Sequence, residues 1–363
     1  GGFFAFLYGW TRFWVASPAT IAAYAAGSAT FLAAFYPAMS PAPRRNAIAL
    51  GLILAFSILN CLRVQVGGRV QSAMTIMKIA LIVGLGLLLL AISPGSIDNV
   101  RAVSSTATWP GWSAFGTAVL AALWAYDGWN NLPMVGSEVR SAEKNLPRAL
   151  VTGILAILVI YAFVNFGYFF SLPFDEILTS NSNQYPDALP VATKAAATFL
   201  GVAGAGVLSL MFMFSAVSAM NGSIMTSARV PFAMAEDGLF AKALANVNEK
   251  THVPVNSILV QALVSSVLVL WGTFDQLTDY VVFSSWIFYA LVTSSLFLFR
   301  KRYPEAPRTY KVWGYPYVPA MFLVVAVALL LNTVVTMPRE SLIGLCIISA
   351  GIPVYFWMKR KSS

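Results

Sequence analysis

Trp124-Ala125-Tyr126-Asp127-Gly128-Trp129-Asn130-Asn131-Leu132-Pro133 interrupts an apolar run that begins near Trp112. Glycine, asparagine and proline this close together make a poor helix interior, because glycine adds backbone freedom and proline removes a donor. From Trp112 to Asp127 is about 23 Å of helix at about 1.5 Å per residue, short of a hydrocarbon core about 30 Å thick. Apolar character then resumes with Leu132, Met134 and Val135. Two readings stay open. In one, the helix is discontinuous at membrane depth, where broken backbone is tolerated only if it lines a cavity or is buried in protein. Its freed backbone groups and helix ends then bind a small polar substrate. In the other, the helix ends at the interface and Asp127 is solvated.

Working outward, the rest of the chain is built for lipid. Hydrophobic residues make up 58% of the 363 positions and charged residues 10%, against about 25% charged in a soluble domain. Apolar runs lie near 3–36, 46–63, 70–93, 112–134, 147–172, 191–230, 254–274, 278–300, 315–337 and 341–358, ten in all. A spanning helix needs about 20 mostly apolar residues, whereas barrel strands are about 10 residues long and alternate. The expectation is therefore an all-α integral membrane protein in one domain. The first run exceeds what a bilayer needs and carries Pro18 in its middle, which predicts a long, tilted helix kinked there. The chain opens on Gly1-Gly2-Phe3 with no initiator Met and no cleavable leader, so the start is expected to be cut off.

The net charge of +9 records topology. With ten alternating spans, most of the 23 basic residues fall on one side, among them Arg12, Arg63, Arg69, Arg140, Lys144, Arg148 and Lys359. Arg44, Arg45, Arg101, Lys194 and Arg339 fall on the other, and Lys78 inside a span. By the positive-inside rule the C-terminus is cytoplasmic, in the cell (inner) membrane. No nucleic-acid partner is implied. Cys61 and Cys346 lie in apolar runs and support neither a disulfide framework nor a metal site. The single histidine, His252, belongs to a loop. With no zinc spacing, no Ser–His–Asp set and no phosphate-cradling GxxxxGK[ST], neither a cofactor nor an enzyme is expected. Asn221-Gly222-Ser223 has the glycosylation pattern but sits in an apolar run, where acceptors do not lie.

Charged groups inside spans mark function by default. Besides Asp127, the candidate is Lys78, about 13 Å of helix beyond Arg69. It reads equally as a snorkelling side chain or as a functional intramembrane cation. Ser215, Ser218, Asn221, Ser223, Thr226 and Ser227 in one run, with Ser284 and Ser285 in another, read mainly as helix-packing residues. Inverted-repeat transporters place one broken helix in each half. Only one is found here, so its counterpart is expected upstream of Gly1.

Several spaced motifs carry a family resemblance along nearly the whole chain. Ala125-Tyr126-Asp127-Gly128-Trp129-Asn130, then Glu138 and Lys144-Asn145-Leu146-Pro147, resembles the sixth helix and following loop of the L-type amino acid transporter family, within the amino acid–polyamine–organocation superfamily. Asn221-Gly222-Ser223, Ser227-Ala228-Arg229 and Glu236-Asp237-Gly238-Leu239 resemble its eighth helix and next loop. Arg69-Val70-Gln71 with Lys78 resembles the fifth, and Arg308-Thr309-Tyr310-Lys311 with Gly314-Tyr315-Pro316 the entry to the eleventh.

The resemblance implies a twelve-helix protein with five-plus-five inverted repeats, of which this chain keeps helices three to twelve. Residues 1–93 would be the rest of the first repeat, 112–300 the second, and 301–363 the last two helices. It implies sodium-independent amino acid transport, commonly by obligatory exchange. On this likeness Trp124 is an aromatic gate, and Ala125, Tyr126 and Asp127 line the unwound segment, whose carbonyls take the substrate's amino group. Asn130 steadies that segment. Lys78 replaces a sodium ion, while Thr20, Ser285 and Trp286 flank the side-chain pocket. The family's glycine-rich turn, which takes the carboxylate, has no counterpart in this chain. Asp127 stands where other members carry Gly or Ser, which suggests that it widens a neutral substrate range to cationic amino acids. Alternatives are proton-coupled symport through Asp127 and a receptor that binds an amino acid without moving it. Some animal relatives join a single-span partner through a disulfide; no cysteine here lies on an outer loop, which speaks against such a bridge.

Overall fold

The computed structural model describes residues 2–102, 109, 111–182, 185, 188–271 and 274–362. Each of the ten apolar runs is helical. The first comprises α1 (Gly2–Thr11), a π-helical turn (Arg12–Ala16) and α2 (Ser17–Phe35). Then come α3 (Ala42–Leu62), α4 (Val64–Ala91), the short α5 (Ile97–Arg101), α6 (Trp112–Ala125), a 3-10 helix (Trp129–Glu138) and α7 (Ala142–Ser171). They are followed by α8 (Phe174–Leu178), α9 (Val191–Leu200), α10 (Val202–Ser227), α11 (Arg229–Glu236), α12 (Val255–Trp271), α13 (Phe274–Arg302), α14 (Tyr317–Thr336) and α15 (Pro338–Ser362). Among the described residues, 8 helices are long and apolar enough to cross a membrane, and the apolar helices at Trp112–Leu123 and Val255–Leu270 are shorter.

The first helix is the axis of the bundle. α2 packs against α3, α10, α12 and α13, and its contact positions are small: Ala16, Ala19, Ala22, Ala23, Ala25 and Ala29 are buried with Ile53, Met220, Ile224 and Ile258. Hydrocarbon is as apolar as a leucine side chain, so helices in lipid associate through close packing and interhelical hydrogen bonds, and small residues allow the approach. The outermost helix shows the converse. α7 turns Val151, Leu155, Leu158 and Val159 outward, an apolar face suited to acyl chains.

Two local outcomes differ from expectation. The irregularity in the first helix comes before Pro18 rather than at it. Proline has no N–H to give the carbonyl four residues back and crowds that carbonyl with its ring. The ladder widens over the preceding turn instead, with the Ser17 N–H reaching the Arg12 carbonyl in a π-type bond. The 191–230 run is also two helices. Gly201, at φ 56° and ψ −142°, ends α9 and starts α10 in a conformation closed to residues with a side chain.

The hydroxyl and amide residues of α10 are interior, as their packing role required. Asn221 is 0% exposed. Its carbonyl oxygen accepts from Asn60 Nδ2 of α3 at 2.8 Å, and its own Nδ2 donates to Gln71 Oε1 of α4 at 2.8 Å. A β-carbon at Gly67 would lie 2.9 Å from Asn60 Oδ1, so that glycine lets α4 approach. This knot leaves no surface for a glycan on Asn221. Each interhelical bond in a membrane is worth about 0.6 to 1.7 kcal/mol, so Asn221→Leu is expected to cost about 1–3 kcal/mol and to lower the thermal midpoint of the purified protein. An unchanged midpoint would remove the knot from the account of stability.

Candidate functional site

The interrupted helix is discontinuous. α6 has 14 residues, about 20 Å, and the 3-10 helix after it has 10 residues, also about 20 Å at about 2 Å per residue. Tyr126–Gly128 separate the two pieces and belong to neither helix. Gly128 has φ 106° and caps the 3-10 helix from the left-handed region, where glycine meets no steric cost. Pro133 and the non-helical Val135 (φ −102°, ψ 16°) keep the second half from re-forming an α-helix.

The freed main-chain groups have partners. Tyr161 of α7 donates its hydroxyl to the Ala125 carbonyl at 3.0 Å, and its ring meets Tyr126 edge-on with centroids 5.2 Å apart. The Tyr126 N–H reaches the Leu123 carbonyl at 3.2 Å, and the Asn131 N–H the Gly128 carbonyl at 3.1 Å. Asp127 is half-buried. Its Oδ1 accepts from Tyr289 Oη of α13 at 3.2 Å and from Asn130 Nδ2 at 3.4 Å, and Asn130 Nδ2 also bonds Tyr289 Oη. Trp129 tilts against the Tyr289 ring at 5.1 Å, and Trp286 meets that ring edge-on at 5.9 Å.

The electrostatic character follows from what is left over. Asn130 is 6% exposed and its Oδ1 has no hydrogen-bond partner. Among the described residues Asp127 is bonded by neutral donors, through its Oδ1. Unmet buried acceptors are costly, so the break is short of N–H donors.

On the far side of the break the deficit reverses. Arg12, counted from sequence among the basic residues outside the spans, lies within the first helix and is 6% exposed. This is a correction, and its cause is the π-turn, which carries Arg12 inward. Its Nη2 donates to Asn131 Oδ1 at 3.0 Å and lies 3.7 Å from Met134 Sδ, while Nε is buried without a partner. The 3-10 helix is tied at its other end by Arg229, whose Nε lies 2.9 Å and Nη2 3.3 Å from the two Glu138 oxygens.

The expected site residues fall into two groups. Ala125, Tyr126, Asp127 and Asn130 come together at the break, and Trp286 joins them through Tyr289. The side chain of Trp124 lies outside the described residues. Ser285, buried with an unpartnered Oγ, precedes Trp286 on α13. Thr20 on α2 already gives its hydroxyl to the Ala16 carbonyl at 2.7 Å. Lys78 is half-buried in mid-α4 and, among the described residues, bonds none of the break residues. Cys61 and Cys346 are free thiols. Among the described residues no group of three or more His, Cys, Asp or Glu could hold a metal. Sequence reasoning missed Tyr161 and Tyr289, which carry no signal among many membrane aromatics. It also passed over Arg12, whose place nine residues after Phe3 in an apolar run was a signal.

Known proteins with this pattern point one way. The family model for amino acid permeases matches residues 1–352. The chain is 31% identical over 369 residues to the serine/threonine exchanger SteT of Bacillus subtilis (strain 168), covering 100% of this chain and 80% of that protein. It is 29% identical over 360 residues to the b(0,+)-type amino acid transporter 1 of Mus musculus, covering 97% and 71%. It is 27% identical over 363 residues to the Asc-type amino acid transporter 1 of Homo sapiens, covering 98% and 67%. With a family match along almost its full length and a relative above 30% identity, the chain belongs to the amino acid permease family, whose members are multi-pass membrane transporters rather than enzymes.

Proposed function

We propose that this protein exchanges neutral and cationic amino acids across the membrane, without sodium, by alternating access around residues 124–131. The carrying observation is the donor deficit at the break. The buried Asn130 Oδ1 has no partner and, among the described residues, the Asp127 carboxylate is bonded only through Oδ1; every amino acid brings an α-ammonium that could serve both. The names of the relatives, an exchanger of serine and threonine and two amino acid transporters, support the class.

In this reading Trp124, Ala125, Tyr126, Asp127 and Asn130 line the substrate path, with Thr20, Ser285 and Trp286 bordering the side-chain pocket. Tyr161 already occupies one lone pair of the Ala125 carbonyl, which shifts the ammonium toward Asp127 and Asn130. Lys78, a cation in mid-span, stands in for a coupling ion and keeps the cycle independent of sodium. Residues 112–300 form one five-helix repeat, 1–93 belong to the other, and 301–363 add two helices. The basic loops and the C-terminus face the cytoplasm of a cell membrane.

A second reading is favoured by the surroundings of Asp127. A carboxylate bonded to a phenol and an amide, with no cation on it, is placed to carry a proton, which makes the cycle proton-coupled symport. A receptor that binds without moving its ligand is the third. The deciding measurement is uptake of labelled alanine, serine and arginine into sodium-free proteoliposomes loaded with one unlabelled amino acid at a time. Exchange requires uptake in loaded vesicles and none in empty ones. Equal uptake in both, enhanced by an inward proton gradient, replaces exchange by symport, and binding without counterflow leaves a receptor.

Two variants test the site itself. A hydrogen bond to a charged group is worth about 1.5–3 kcal/mol, and about 1.4 kcal/mol is a factor of ten. Tyr289→Phe, which keeps the ring and removes the bonds to Asp127 and Asn130, is therefore expected to lower uptake of all substrates about tenfold or more. Asp127→Gly is expected to abolish arginine uptake and spare alanine; an unchanged substrate range would show that Asp127 takes no part in selection.

A further inference from the structure

The part of the broken helix that follows the break is held unequally at its two ends. At Glu138 it meets Arg229 through two parallel N–H···O contacts of 2.9 and 3.3 Å. A forked guanidinium–carboxylate pair is strong and directional, and Arg229 adds a bond to the Met225 carbonyl of α10. At its Asn131 end the same segment meets Arg12 through one hydrogen bond of 3.0 Å to a neutral amide and a 3.7 Å contact to the Met134 sulfur, with no charged partner in either. Between the two ties lie Pro133 and the off-helical Val135, so the segment is not a continuous α-helix that would transmit one tie to the other.

Arg12 is an unusual residue to find used so lightly. Its guanidinium has five donors, it is 6% exposed, and its Nε is buried with no partner. Among the described residues no carboxylate is paired with it. A guanidinium this far from water is costly unless a charge or a full set of acceptors offsets its desolvation. The π-turn that carries it inward is itself a local departure from the α-helix, of a kind found frequently at functional positions. Arg229, by contrast, engages all three of its nitrogens, on Glu138 and on the Met225 carbonyl.

We propose that Arg12 is a positioning residue of the transport cycle, a latch on the first helix that holds the Asn131 end of the 129–138 segment in one state and releases it in the other. The segment pivots at Glu138, where its tie is strong, and swings at Asn131, where its tie is weak. The trigger is adjacent. Asn130, next in the chain to the latched Asn131, bonds Asp127 and Tyr289 at the break, so a substrate that takes over those acceptors moves the latch through a single peptide unit. The cycle rests on the transport reading above, but the latch is a property of the fold and has its own readout.

Four proteins decide it: wild type, Arg12→Gln, Asn131→Ala and Asn131→Asp, each full length. Hydrogen–deuterium exchange by mass spectrometry reads local opening without reference to transport. Arg12→Gln and Asn131→Ala are expected to accelerate amide exchange over 129–135 about tenfold or more, and to leave 138–145 unchanged. Asn131→Asp, which turns the weak tie into an ion pair, is expected to slow exchange there. In liposomes it should also lower turnover about tenfold or more, with affinity for labelled alanine held within about twofold. Unaltered amide exchange over 129–135 in the two weakening variants overturns the latch. So does acceleration spread over the whole chain, the mark of a merely structural arginine, or Asn131→Asp turning over at the wild-type rate. A wild type that moves no amino acid into any vesicle defeats the transport reading instead, and the amide-exchange arm still decides the latch.

Discussion

A helix that stops inside a membrane leaves main-chain donors and acceptors that hydrocarbon cannot satisfy, and the architecture around Tyr126–Gly128 answers that one constraint. Tyr161 from α7 meets the freed Ala125 carbonyl, while Tyr289 from α13 and Arg12 from the first helix bond the side chains of Asp127, Asn130 and Asn131 that stand at the break. The helices that flank the break are thus held in place by the break's own needs. They leave the buried Asn130 Oδ1 unmet, and in the proposed transport reading the substrate's ammonium completes it.

The division of labour between helices follows from how each is packed. α2 uses alanines where a soluble core would use leucines, so its neighbours approach closely and the centre becomes a rigid axis. The Asn60–Asn221–Gln71 knot adds directional bonds across α3, α4 and α10. The broken helix is tied through single side-chain bonds, from Tyr161 and Tyr289 at the break and from Ser113 to Asn332 of α14 on its first half. Its second half is held by side chains at its ends, and its first half presents Trp112 and Phe115 outward. A fixed axis with a lightly held neighbour is the arrangement that lets one element move while the other keeps its place.

Much of this was legible in the residues. Ten apolar runs were visible because hydropathy is a local, additive property, and all ten are helical, though 112–134 and 191–230 each divide into two helices. The break was visible because Asp, Gly, Asn and Pro together defeat helix propensity regardless of context. Less legible was anything decided by tertiary approach. Gly201 sits in an apolar run that hydropathy joins into one span, and only its backbone angles divide it. Tyr161 and Tyr289 are two of 14 tyrosines, and what singles them out is the helix they face. Pro18 announced a disturbance, but the side on which the ladder yields depends on which carbonyl can shift, so the π-turn fell one turn earlier.

Arg12 shows most clearly why charge counting has a limit. Counting treats every cation near the end of a run as solvated, since a buried one is costly; most of the described Lys and Arg residues are exposed, and Arg229, also buried, is paired with Glu138. The exception is informative because of that cost. A buried guanidinium and a half-buried carboxylate lie on either side of Asn130 and Asn131, bonded to these amides and not to each other. Were the two charges joined in one ion pair, each would cancel the other's demand and nothing at the break would remain to be completed. Held apart by neutral amides, the acidic side stays short of donors and the basic side short of acceptors. In the proposed cycle that separation leaves the Asn130–Asn131 end of the broken segment responsive to substrate, while the Glu138 end stays paired with Arg229.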